Sequence, residues 1–312
     1  MKQRVLQNGR LLASLEATLA QRYDIHPLWS EADPQGYLAG HGAEFTGYVC
    51  SARQGADAAM MAALPNLRVI SSFGVGLDAV DLDAARARGI AVGYTPDVLN
   101  DCVADTAMLL LLDVARGGSA SDRFVRRGDW LKGVFPLTTS VSHKRLGIVG
   151  LGRIGRAIGR RAAGFDLEIR YHNRRPLADV PYGYVPSLLE LARWADFLIV
   201  SSAGGAQTRG LVSAEVLAAL GPEGFLVNIS RGTVVDEQAL VQALAEKRIA
   251  GAGLDVYEDE PNVPPALLAL DNVVLLPHVA SATRETRQAM ADLVLDNLAS
   301  FFASGAVKVS AL

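Results

Sequence analysis

Cysteine is almost missing from this chain of 312 residues: Cys50 and Cys102 are its only two, far apart and without CxxC spacing. That excludes a disulfide scaffold and a thiolate metal centre, and it suits a reducing compartment. A basic excess is also lacking. The formal net charge is −3, which argues against a nucleic-acid surface. Long hydrophobic runs are absent too. The greasiest stretch, Ala107-Met-Leu-Leu-Leu-Leu112, is far too short to span a bilayer, and the start Met1-Lys-Gln-Arg-Val-Leu6 has no apolar leader core. There is no solenoid-period repeat and no low-complexity tract. The expectation is a soluble cytoplasmic protein with no membrane, nucleic-acid or metal partner.

What is present fits a globular α/β protein: half the residues are hydrophobic and 20% are charged. The length suggests roughly two domains. Short apolar runs read as strands at Val5-Leu6, Gly47–Cys50, Arg68–Ser71, Ile90–Val92, Leu146–Val149, Leu167–His172, Phe197–Val200, Phe225–Asn228 and Val273–Leu276. Helical patterns lie between them, at Leu11–Gln21, Ala84–Gly89, Ser187–Arg193, Ser213–Leu220 and Glu237–Arg248. Such alternation means parallel sheets with right-handed crossovers. It comes in two batches, joined by a helix over Val98–Arg116 whose apolar run predicts burial between domains. A last helix, Arg284–Ala303, carries one apolar stripe (Met290, Leu293, Val294, Leu298, Phe301, Phe302) that suits packing back on the first batch. The expected organisation is a discontinuous substrate domain, residues 1–97 and 282–312, flavodoxin-like. A dinucleotide-binding, Rossmann-like domain, residues 98–281, is inserted in it, and a ligand cleft is expected between the two lobes.

The inserted domain opens on Leu146-Gly-Ile-Val-Gly-Leu-Gly-Arg-Ile-Gly155. A strand turning on Gly150, Gly152 and Gly155 into a helix is the phosphate-cradling start of a dinucleotide unit. Gly150 permits the turn, Gly152 lets the backbone approach a pyrophosphate, and Gly155 lets helix and strand pack closely. An NAD site then places an acid after the second strand, for the ribose 2′-hydroxyl. Here that strand ends in Asn173-Arg174-Arg175. No carboxylate repels a 2′-phosphate, and two guanidiniums can pair with one. NADP(H) is therefore the preferred cofactor, with NAD(H) a weaker one; a solvated turn before Pro176 is the bland alternative for the arginines.

Three ionisable residues follow later strands of this batch: Arg231, Glu260 and His278. Strand ends of that kind are where open α/β sheets bind ligands. As a set they suit reduction of a carbonyl beside a carboxylate. The His delivers the proton, the acid orients it, and the Arg holds the substrate carboxylate with its fork. Each has an ordinary alternative. A lone His after a strand is more often a packed residue, Glu260 competes with Glu258 and Asp259, and Arg231 has Asp236 nearby to pair with.

The chain resembles the D-isomer-specific 2-hydroxyacid dehydrogenases, and among them the glyoxylate/hydroxypyruvate reductases. The resemblance rests on Gly150-Leu-Gly-Arg-Ile-Gly155, Asn228-Ile-Ser-Arg-Gly-Thr-Val-Val-Asp-Glu237, Gly253-Leu-Asp-Val-Tyr-Glu-Asp-Glu-Pro261 and Leu276-Pro-His-Val-Ala-Ser281. It implies that Arg231, Glu260 and His278 are the catalytic set. It assigns Val75 and Gly76, in Ser72-Phe-Gly-Val-Gly-Leu-Asp78, to the substrate carboxylate through backbone N–H groups, and Asp255 to the nicotinamide carboxamide. Thr106, Arg153, Ile154 and Ile229 are implied cofactor contacts. Ser51 and Leu99 are assigned to the substrate pocket, and Trp130 to either a subunit interface or a neighbouring subunit's pocket.

The same resemblance implies a homodimer built around the dinucleotide domains. The missing acid after His172 is the departure made by NADPH-preferring members. The end at Leu312 reads as lacking an appended regulatory domain, and the acid at Glu260 argues against formate as substrate. The expected reaction is NADPH-dependent reduction of a small 2-oxo acid, glyoxylate or hydroxypyruvate, to the D-2-hydroxy acid. Phenylpyruvate or hydroxyphenylpyruvate reduction is the alternative within the family. A dinucleotide-sensing corepressor is the alternative outside enzymes.

Overall fold

The computed structural model describes residues 2–312, and these divide into two compact units. One comprises residues 2–99 with Ala282–Leu312, the other Asn100–Ser281.

The first unit holds a five-stranded sheet in the order β2-β1-β3-β4-β5, built from β1 (Arg4–Asn8), β2 (Asp24–Pro27), β3 (Gly47–Ser51), β4 (Val69–Phe73) and β5 (Ala91–Gly93). Every pairing is parallel. Its crossovers carry α1 (Ala13–Arg22), α2 (Pro34–His41), α3 (Ala58–Ala62) and α4 (Leu82–Ala87). Leu6, Phe45, Tyr48, Cys50, Ile70 and Val92 are buried in one core. Burial pushes the Cys50 thiol up to about 12, so it acts as a small packing residue.

The second unit holds a seven-stranded parallel sheet in the order β12-β11-β10-β9-β6-β7-β8. Its strands are β6 (Arg145–Val149), β7 (Glu168–His172), β8 (Gly183–Tyr184), β9 (Phe197–Val200), β10 (Phe225–Asn228), β11 (Gly251–Leu254) and β12 (Val273–Leu275). The central strands are buried along their whole length, as a sheet covered on both faces requires. The helices, in chain order, are α5 (Asn100–Arg116), α6 (Gly118–Arg126), α7 (Arg153–Ala162), α8 (Leu188–Trp194), α9 (Ala214–Leu220), α10 (Glu237–Ala245) and α11 (Pro265–Leu268). The last helix, α12 (Arg284–Ser304), belongs to the first unit, where it lies on β4 and β5. There Ser71 Oγ donates to the Val294 carbonyl (3.2 Å), and Asn297 Nδ2 donates to the Tyr94 carbonyl (3.2 Å).

Three local expectations change. The joining helix begins at Asn100 rather than Val98, because the chain first turns through Asp97, at φ +70°, and the Val98 N–H closes on the Pro96 carbonyl. That helix is not buried all round. Val103, Ala107, Leu110 and Leu111 face the core, while Leu109 is 55% exposed. The strand Gly251-Ala-Gly-Leu254 was not expected from its small residues. Its glycines answer a packing need, since a Cβ on Gly253 would sit 2.9 Å from the Leu110 side chain and one on Gly251 would sit 2.7 Å from the Asn272 carbonyl. Among the described residues, no helix is long and apolar enough to cross a membrane.

Candidate active site

Hydrogen-bond register in the second sheet aligns His172, Val149, Val200, Asn228, Leu254 and Leu275 in one row at the carboxyl ends of the strands. Nearly every second-unit residue singled out in the sequence leaves the sheet just beyond that row. The chain runs outward from β6 to β8 and then returns to β9 on the other side of β6. The glycine turn after β6 is thus the topological switch point, where such sheets bind ligands.

The turn itself is built for an anion. Gly150 adopts φ +94°, and a Cβ there would lie 2.6 Å from the Ser202 backbone. At Gly155 a Cβ would meet the Gly150 carbonyl at 2.5 Å. Gly152, by contrast, opens onto free space. Helices α8, α9, α10 and α12 are capped by the side chains of Ser187, Ser213, Asp236 and Thr283. Helix α7 has Gly152 at that position and no side-chain cap, so its first N–H groups are offered to a ligand. These residues fit a dinucleotide pyrophosphate.

Beyond β7, Asn173 spends its Oδ1 on the Leu151 N–H of the glycine turn (2.7 Å), while Tyr184 Oη donates to the Asn173 carbonyl (3.2 Å). Arg174 and Arg175 are exposed, and Arg174 Nη1 donates to Gln207 Oε1 (2.7 Å). Thr106 Oγ1 lies 3.4 Å from the Ala280 carbonyl, and Ile229 is buried after β10.

Past β12, His278 Nδ1 lies 2.7 Å from Glu260 Oε2. Glu260 Oε1 accepts the Tyr257 N–H at 3.2 Å. The neighbouring acids are engaged elsewhere: Glu258 with Arg209 (2.8 Å) and Asp259 with Asn262 (3.1 Å). Asp236 caps α10 by accepting the Ala239 N–H. His278 has φ +54°, in the left-handed region. Its turn is held by Asp255, whose carboxylate accepts the N–H groups of Val279 (2.7 Å) and Ala280 (2.9 Å). Burial pushes the Asp255 carboxyl above its ordinary range, against the pull of those two amides.

Three residues that position this cluster escaped the sequence reading. Asn228 shapes the turn that carries Arg231, donating from Nδ2 to the Arg231 carbonyl (3.0 Å) and accepting from Ser230 (2.8 Å). An Asn at a strand end is a turn signal that could have revealed it. Gly232 is packed so tightly that a Cβ would fall 1.9 Å from the Tyr257 carbonyl carbon, which brings the Arg231 turn against the segment leading to Glu260. Tyr257, a phenol kept neutral by burial, donates to the Leu276 carbonyl (2.9 Å) just before His278.

In the first unit, Val75 and Gly76 lie partly exposed in the loop leaving β4, where Gly74 crosses close over Ala52. Ser51 bonds to Gln54 within its own turn, and Leu99 is buried. Trp130 stands 69% exposed on the short turn Asp129–Leu131.

A parallel sheet with a glycine turn at its switch point, and a His–carboxylate pair on the same edge, defines a dinucleotide-dependent oxidoreductase. Comparison with known proteins narrows the class. Residues 108–280 match the D-isomer specific 2-hydroxyacid dehydrogenase NAD-binding domain. The chain is 47% identical to glyoxylate/hydroxypyruvate reductase A of Arabidopsis thaliana, over 96% of this chain and 95% of that one. It is 48% identical to the hydroxyphenylpyruvate reductase of Plectranthus scutellarioides, over 92% of each. Among solved structures, the NADPH-dependent glyoxylate/hydroxypyruvate reductase of Sinorhizobium meliloti, in complex with NADP and malonate, superposes with a TM-score of 0.93 at 43% identity. That match covers 99% of this chain and 97% of the other. The chain belongs to the D-isomer specific 2-hydroxyacid dehydrogenase family.

Proposed function

We propose that this protein reduces a small 2-oxo acid, glyoxylate or hydroxypyruvate, to the D-2-hydroxy acid with NADPH. The observation that carries the reading is the 2.7 Å contact between His278 Nδ1 and Glu260, on the same sheet edge as the glycine turn. The cofactor, when bound, supplies the hydride that adds to the carbonyl carbon. Gly150, Gly152 and Gly155, with the helix-terminal N–H groups of Arg153 and Ile154, hold its pyrophosphate. Arg174 and Arg175 face its 2′-phosphate. Thr106, Ile229 and Asp255 border its nicotinamide end.

His278 protonates the growing alkoxide from Nε2. Glu260 accepts the Nδ1–H and so fixes the ring and the tautomer. Arg231 binds the substrate carboxylate and polarises the carbonyl. The loop at Val75 and Gly76 supplies backbone N–H groups to the same carboxylate, and Ser51 and Leu99 belong to the substrate side. The Sinorhizobium relative's use of NADPH and its complex with NADP support the cofactor reading. So does the absence of an acid after His172. In the cytoplasm a reduced NADPH pool drives reduction. We also propose a homodimer, joined through the dinucleotide unit, with Trp130 at the joint.

The likeness to a hydroxyphenylpyruvate reductase favours one other substrate, an aromatic 2-oxo acid. Initial rates with glyoxylate, hydroxypyruvate, pyruvate and phenylpyruvate, each with NADH and NADPH, separate the readings. The expected result is the highest kcat/KM for glyoxylate or hydroxypyruvate with NADPH. A higher value for phenylpyruvate transfers the assignment to aromatic acids. No NADPH oxidation with any of the four returns the protein to a dinucleotide-sensing role.

A further inference from the structure

Resting on the NADPH reading above, we propose that Gln207 is a specificity-determining residue: it holds Arg174 ready for the 2′-phosphate, and its neutrality keeps that guanidinium available. The first ground is topological. Arg174 follows β7 and Gln207 follows β9, and these strands flank β6 on opposite sides. The 2.7 Å bond from Arg174 Nη1 to Gln207 Oε1 therefore bridges the loops on either side of the glycine turn.

Both anchors of the bridge are fixed. Gln207 sits in the turn Ala206–Thr208, where Thr208 Oγ1 donates to the Ala203 carbonyl (2.8 Å) and the Gly210 N–H to the Thr233 carbonyl (2.8 Å). Arg174 leaves Asn173, whose side chain is tied to the Leu151 N–H and whose carbonyl accepts from Tyr184. A long exposed arginine normally loses much rotamer freedom when it takes hold of a phosphate. Here part of that freedom is already gone. One of the five N–H donors is used on an uncharged acceptor, and the planar fork retains the rest.

Charge decides the choice of Gln over an acid at 207. A carboxylate in its place would pair with Arg174 and would set a negative charge beside the position of the 2′-phosphate. Both effects disfavour NADPH, and neither applies to the 2′-hydroxyl of NADH. The proposal thus makes residue 207, in a turn after a different strand from the one that precedes the usual acid position, a second lever on cofactor choice.

The test is direct binding. Dissociation constants for NADPH and NADH are measured by titration calorimetry on the intact protein, its Arg174→Ala variant, and the variants Gln207→Glu and Gln207→Ala. The expected result is a preference for NADPH in the unaltered protein that collapses in Arg174→Ala. The ratio of the two constants should shift toward NADH by tenfold or more in Gln207→Glu, and by a smaller factor in Gln207→Ala. An unaltered protein without NADPH preference overturns the NADPH reading and this inference with it, whereas a preference that survives Arg174→Ala overturns this inference alone and leaves the 2′-phosphate to Arg175. Should those two controls behave as expected while Gln207→Glu leaves the ratio unchanged, the inference alone fails and Arg174 acts without Gln207.

Discussion

His278 occupies backbone that an L-residue avoids, at φ +54°, a conformation that costs about 1–2 kcal/mol. It persists because one carboxylate, Asp255, accepts the N–H groups of the next two residues. The strain and its restraint aim the imidazole, and Glu260 then fixes the ring through Nδ1. On this arrangement His278→Gln removes the proton donor without touching the glycine turn. Turnover is expected to fall by about 10²–10⁴-fold, the usual worth of a positioned general acid. NADPH binding, followed by fluorescence titration, should be nearly unchanged. Full turnover in this variant would take His278 out of the mechanism.

At the scale of elements, the site depends on how closely two loops meet. Gly232 lets the Arg231 turn rest on the Tyr257 backbone, so Gly232→Ala must push apart the segments bearing Arg231 and Glu260. Overpacking of this kind costs about 1–3 kcal/mol. We expect kcat to fall about tenfold or more, the equivalent of about 1.4 kcal/mol, while dinucleotide affinity is retained; equal losses in both would point to general unfolding. A second device holds the far ends of the strands. Asp196, just before β9, accepts from Arg145 at the start of β6 (2.7 Å). Burial opposes its charge, yet the Arg145 hydrogen bonds prevail and hold its carboxyl below the ordinary range. A lowered carboxylate stabilises the fold above the unfolded value, about 3.9, and loses that contribution as the pH falls through its folded value. Asp196→Asn should therefore cost about 1 kcal/mol at pH 7, Arg145 being half exposed. In urea unfolding the gap to the unaltered protein should close as the pH is taken below about 4. These elements also show what the chain reveals unaided. The glycine turn, Arg231 and His278 stand out because each follows a strongly apolar strand, and Arg174 and Glu260 because of their distinctive chemistry. Edge strands β2 and β8 lack an apolar run, and β11 is disguised by glycines that admit Leu110 and the Asn272 carbonyl. Asn228, Gly232 and Gln207 act through turns and contacts between distant segments, which leave little trace in local sequence.

At the scale of the whole molecule, the exposed apolar surface is concentrated in one region. Leu109, Val125, Trp130, Leu131, Val134 and Leu137 are all exposed, and all lie from α5 to the approach to β6. Leu131 is 95% exposed and Val134 87%. Exposed apolar side chains gathered in one stretch of a chain in this way mark a surface that a partner can cover. A second copy is the occupant the proposed homodimer supplies: a two-fold contact sets the same patch against itself, and a net charge of −3 offers little repulsion between copies. The unaltered protein should then sediment at about twice its 33.1 kDa mass. The double variant Leu131→Glu with Val134→Glu puts like charges at the joint. It should sediment as a monomer with its circular dichroism spectrum intact, since neither side chain belongs to a core. If Trp130 serves only its own interface, the monomer will reduce glyoxylate with an unchanged KM. If it reaches the neighbouring copy's substrate, KM will rise on dissociation while NADPH affinity holds. A monomeric unaltered protein would remove the homodimer and both roles of Trp130 together.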